Sequence, residues 1–135
     1  MNELTQNYIN HHKKRTDMFR VLDLTNKDLI AIQIDGKLDK SDYDKITPLI
    51  EKTVKEYGKI KLYIQIDSIE GIKPKAFAED VRTYFKHFNH INRIAVVGEN
   101  NWQKLWANLA NPFVSGEIKF FRHGDVVAAR KWILG

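Results

Sequence analysis

Two apolar spacings take turns along the chain, and their order predicts a fold. Residues 1–17 carry neither spacing and read as a mobile leader or a short, loosely held helix. Phe19 to Leu24 is the first strand candidate, and Thr25-Asn26-Lys27 follows as a tight turn in which Asn tolerates a left-handed backbone. Asp28 to Asp35 then alternates, with Ile30, Ile32 and Ile34 on one face, so the two segments form a hairpin. From Asp39 to Ser41 the period changes to helical. Ser41 with Asp44 three residues on resembles a capping pair, and Tyr43, Ile46, Ile50, Val54 and Tyr57 share one stripe. Pro48 interrupts this helix with a missing donor, which predicts a kink, and Gly58 stops it.

Strand and helix go on alternating. Ile60, Leu62, Ile64 and Ile66 alternate with Lys61, Tyr63, Gln65 and Asp67. Pro74 opens a helix whose stripe is Phe77, Val81, Tyr84 or Phe85, and Phe88. Arg93 to Gly98 is an unbroken apolar run and predicts a central strand. Asn100 or Asn101 caps a helix carrying Trp102, Leu105, Trp106 and Leu109, which Asn111-Pro112 closes. Glu117 to Arg122 is the last strand and Asp125 to Leu134 the last helix. This order predicts an α/β domain over residues 18–135, with a five-stranded mixed sheet, an antiparallel edge strand and four helices. Parallel strands covered on both sides read as continuous apolar runs, whereas 28–35 and 60–67 alternate. The helices are therefore expected to concentrate on one side. Ala31, Gln33, Lys61, Tyr63 and Gln65 would then lie on a more open face.

Composition narrows the picture. At 135 residues the chain is the length of one domain and buries about 68% of its unfolded surface without staples. With no cysteine there is no disulfide, thiolate metal site or thiol nucleophile. The net charge of +5 is dispersed, apart from His11-His12-Lys13-Lys14-Arg15 in the leader. A nucleic-acid groove needs clustered bases with aromatic platforms, so no nucleic-acid partner is expected. No run approaches the ~20 apolar residues of a transmembrane segment, no signal peptide opens the chain, and the expected location is cytoplasmic.

Several short motifs together carry a family resemblance. They are Asp35-Gly36-Lys37-Leu38, Asp42-Tyr43, Pro48-Leu49-Ile50 and Gly58-Lys59-Ile60, followed by Ile91-Asn92-Arg93-Ile94-Ala95-Val96-Val97-Gly98, Trp102-Gln103 and Pro112-Phe113. Over roughly residues 19–134 the chain resembles the SpoIIAA-like proteins, relatives of the STAS domain (sulfate transporter and anti-sigma factor antagonist). The resemblance implies a right-handed strand–helix superhelix and a domain that binds rather than transforms; some relatives of the fold carry lipids or other apolar ligands. Anti-sigma antagonists also place a phosphorylatable Ser or Thr at the start of the helix after the third strand. Here that helix opens on Pro74, Lys75 and Ala76, and Ser68 lies earlier, so the phosphorylation switch does not carry over.

Candidate chemistry is sparse. His87 and His90 are three apart with no third ligand, and Asp35, Asp39, Asp42 and Asp44 suit a helix N-terminus better than a cation, so no metal and no cofactor are expected. Gly98-Glu99-Asn100-Asn101 lacks the second glycine of a phosphate loop. A triad of Ser68, His123 and Asp67 fails on geometry, because adjacent Asp67 and Ser68 point to opposite faces of a strand. The chain therefore reads as a non-catalytic binding module for another protein or for itself, with Ala31, Gln33, Tyr63 and Gln65 as contact face. The alternative is a carrier or sensor of an apolar small molecule or lipid. Trp102, Trp106 and Phe113, with Phe77 across from them, would line its pocket at the carboxyl end of the sheet.

Overall fold

A computed structural model describes residues 19–36, 40–68, 73–85, 90–99 and 117–135. Its strands are β1 (Phe19–Val21), β2 (Leu29–Asp35), β3 (Ile60–Ser68), β4 (Ile91–Gly98) and β5 (Glu117–Arg122). Its helices are α1 (Lys40–Tyr57), α2 (Pro74–Phe85) and α3 (Val126–Leu134), with a 3-10 turn at His123–Asp125 before α3. The strands lie side by side in chain order as one five-stranded sheet. β1 is antiparallel to β2 and all later pairs are parallel, as the alternation of elements predicted. Among the described residues the α-helices number three; the expected fourth, carrying Trp102 and Trp106, falls in residues 100–116, outside them, as does the leader.

The hairpin ends differently from the expected strand. β1 stops at Val21, and the chain turns over the sheet. Leu22 N–H donates to Ala31 O at 2.8 Å, and buried Thr25 does the rest of a strand's work. Its hydroxyl donates to Ala31 O at 3.0 Å and accepts from Ala31 N–H at 2.8 Å. The tip closes with paired Asn26 and Leu29 backbone bonds, both 2.9 Å. Lys27, not Asn26, takes the left-handed conformation, at φ 52°.

α1 runs unbroken through Pro48, and Ser41 stands inside its first turn rather than at its cap. Gly58, at φ 83°, closes it by donating N–H to Val54 O at 2.7 Å. The inward stripe of α1 (Ile46, Leu49, Ile50) meets Phe77 of α2 and the even-numbered isoleucines of β2 and β3, together with Ile94 and Val96. Each of these buried chains contributes about 1.5–3 kcal/mol. This is the main core.

The opposite face corrects the expected one-sided roof. α3 lies on it, chiefly against β4, with Ala129 and Ile133 fully buried. Its core also takes in Leu29, Ala31, Tyr63, Ala95, Val97 and Phe121. Ala31 and Tyr63, expected on an open contact face, are each 0% exposed. The physical reason is a division of labour: α3 covers the strands from β3 to β5, while Leu22 and Leu24 fold over the rest. Ala95 and Ala129, each 0% exposed, place small side chains where α3 meets β4.

Candidate functional site

Among the described residues, the roof on the α3 side stops short of the carboxyl ends of β2 and β3. One register row there runs Arg20, Gln33, Gln65, Val97, Phe121 across all five strands. α3 and its neighbours cover the last two; Gln33 and Gln65 are half-buried, and Arg20 is exposed. Asp67, two residues beyond Gln65 and on the same face, is exposed as well.

These side chains form a hydrogen-bond ladder that converges on Asp67 from two directions. On one arm Arg20 donates through Nη2 to Gln33 Oε1, and Gln33 Nε2 donates to Asp67 Oδ2. On the other, Tyr63 Oη donates to Gln65 Oε1 at 2.8 Å, and Gln65 Nε2 donates to Asp67 Oδ1 at 3.2 Å. The Arg130 guanidinium, from α3, acts on the Tyr63 phenol at the end of the second arm. Both amides are thereby oriented, oxygen away from the carboxylate and nitrogen toward it. Burial raises the Tyr63 pKa, an effect that the Arg130 bond and charge partly offset and that the Asp67 charge reinforces.

His123 completes the margin. Its Nε2 lies 2.8 Å from Ile66 O and 4.0 Å from Asp67 Oδ1, reaching back over the end of β4, where Gly98 carries no side chain. Beside it Arg122 Nε bonds Asp125 Oδ2 at 3.1 Å. Asp67 and His123 of the rejected triad thus do come together; its third member, Ser68, has a side chain outside the described ones.

A second polar feature sits between α1 and α2 and is structural. The Tyr43 and Tyr84 rings lie 4.4 Å apart, and Tyr84 Oη is 2.5 Å from Thr47 Oγ1. Burial drives both phenols upward in pKa, with added repulsion from Asp80 at Tyr43 and from Glu51 at Tyr84. A third feature fastens α3: Arg93 donates to Trp132 O at 3.1 Å and stacks over the indole at 5.2 Å, holding a cation at the helix C-terminus.

Of the predicted contact face, Gln33 and Gln65 are brought side by side, whereas Ala31 and Tyr63 are packed beneath α3 and its neighbours. Of the predicted apolar pocket, Trp102, Trp106 and Phe113 lie outside the described residues, and Phe77 is buried in the main core. His87 and Asp39 also lie outside them. No three metal-ligating side chains gather among the described residues. Sequence reasoning passed over Arg20, Asp67 and Arg130 as parts of this face. The parity of Tyr63, Gln65 and Asp67 carries the signal for Asp67, and the hairpin register carries it for Arg20. Arg130 and His123 arrive through tertiary packing, and no local pattern announces them.

A family model described as SpoIIAA-like matches residues 29–134, a span that holds the whole ladder except Arg20. Among solved structures, the chain is similar to an uncharacterized protein from the DUF3478 family with a SpoIIAA-like fold, from Shewanella loihica PV-4. The two are 29% identical with a TM-score of 0.61, and the match covers 89% of this chain and 97% of that one. No curated protein matches the chain.

Proposed function

The chain belongs to the SpoIIAA-like family, and from that premise we propose that it is a non-catalytic binding module for a protein partner, with the strip Gln33–Gln65–Asp67 as its contact surface. One observation carries the reading. A sheet face whose core under α3 and its neighbours is Leu29, Ala31, Tyr63, Ala95, Val97 and Phe121 gives way, at the carboxyl ends of β2 and β3, to polar side chains that orient one another. Open sheets of this class bind ligands beyond the carboxyl ends of their strands. A fixed array of amides and one carboxylate supplies directional, low-entropy-cost contacts to such a partner.

Site-specific photocrosslinking tests this. A benzophenone side chain is placed at Gln33 or, as control, at exposed Lys52 on α1, and adducts are collected in the producing cells. Adducts from position 33 and not from 52 are the expected result; a product of twice the chain's mass identifies a second copy as the partner. Equal capture at the two positions, or capture only at 52, removes the strip as the contact surface.

A further inference from the structure

Resting on that reading, we infer that the strip selects a cationic side chain: the partner seats an arginine or lysine of a basic segment on Asp67. The ladder has a direction. Every bond in it donates toward Asp67, and each carboxylate oxygen has accepted one amide N–H. A carboxylate has about four acceptor sites, so two remain for an incoming donor. The side chain retains 35% of its exposure, which leaves room to approach them. An anion at the same place would sit against the Asp67 charge. A guanidinium or ammonium would gain charge-assisted bonds instead.

Among the described residues around the carboxyl ends of the strands stand Asp35, Asp67, Glu99 and Asp125, with Arg20, Arg122 and His123, and Arg122 is engaged by Asp125. Asp35 and Glu99 are exposed. Arg20 and Arg130 stand at the far ends of the two arms, separated from Asp67 by one amide and by a phenol and an amide. They fix the amides' orientation and hold their own charges away from the carboxylate, which has His123 beside it at 4.0 Å. Charge complementarity of this kind steers association and rejects wrong partners.

The test titrates the isotope-labelled full chain with a blocked hexa-arginine peptide and, separately, with hexaglutamate, following the side-chain amide signals of Gln33 and Gln65. Hexa-arginine is expected to move both, with at least ten-fold weaker binding to Asp67→Asn and unchanged binding to Glu51→Gln on exposed α1. The wild-type titration needs no variant, so a folding defect in Asp67→Asn would not blunt it. Hexa-arginine that binds Asp67→Asn as tightly as wild type, or leaves the two amides unmoved, overturns the inference. Hexaglutamate moving the same amides also overturns it, yet leaves the strip standing as a recognition surface. The crosslinking at Gln33 decides that broader point independently.

Discussion

The two faces of the sheet are built from the same strands and end differently. On the α1–α2 side, Ile30, Ile32, Ile34, Leu62, Ile64 and Ile66 are buried from one end of β2 and β3 to the other. On the α3 side the same strands carry Leu29, Ala31 and Tyr63, all buried, beside half-buried Lys61, and finish with Gln33, Gln65 and Asp67, which are not buried. A nine-residue helix extends about 13 Å and is about 10 Å wide, so one such helix over β4 cannot reach the ends of β2 and β3. The sequence at those ends is polar, and the polar groups satisfy one another rather than the solvent alone. A face left open by geometry has become a face with fixed chemistry.

The closed face should answer most severely to mutation. Ile64→Ala removes a fully buried side chain from the centre of the main core and should cost about 3–4 kcal/mol, read from denaturant unfolding. Alkaline unfolding should come next. The Tyr43, Tyr63 and Tyr84 phenols have pKa values raised above the ordinary value of about 10 by burial. A raised folded value means the native state holds these protons more tightly. The stability this provides is complete below about pH 10 and declines as pH climbs through the folded values. Absorbance of phenolate against pH should therefore show ionisation delayed beyond free tyrosine and coincident with unfolding. Ionisation of all five tyrosines near pH 10 in a folded chain would break this expectation.

How much of this could be read in advance depends on the range of the signal. Period two in β2 and β3 and the helical stripe of α1 depend on neighbours in the chain, and they located these elements to within a residue or so. The antiparallel edge and the parallel remainder followed from element order. What alternation could not carry was the cover over each polar or small position. Ala31 and Tyr63 have the same parity as Gln33 and Gln65, yet α3 and the Leu22–Leu24 segment cover the first pair alone. A tyrosine is compatible with either fate, because its ring packs while its hydroxyl reaches the edge of the strip. Lys27 makes the same point on a smaller scale: the turn was legible, but which residue would adopt φ 52° was decided by the Asn26–Leu29 pairing.

Between the two regimes lie the residues where helix and open strip meet. Ala129→Leu forces three extra carbons into the fully buried contact of α3 with the sheet, and it should cost about 2 kcal/mol. Loss of that size, with the Ile64 core left intact in hydrogen exchange, would separate the two cores energetically. Tyr63→Phe keeps the ring and removes the hydroxyl that donates to Gln65 Oε1. It should cost about 1 kcal/mol and release the Gln65 side-chain amide into faster motion, visible in its relaxation.

The smallest effect is expected inside the strip, and it is the most discriminating. Gln33→Leu deletes the amide that links Arg20 to Asp67, but both partners are exposed and regain water when it goes. Stability should change by no more than about 0.5 kcal/mol, as for surface substitutions generally. The same change made in a closed region would leave buried partners unsatisfied and cost about 1–3 kcal/mol. Measured unfolding midpoints therefore sort the strip into one class or the other. A near-neutral result means these polar positions are not held there by the fold's need for stability, which is the condition for their serving recognition. A loss above about 2 kcal/mol would place Gln33 among the structural residues and make the ladder a second, polar core.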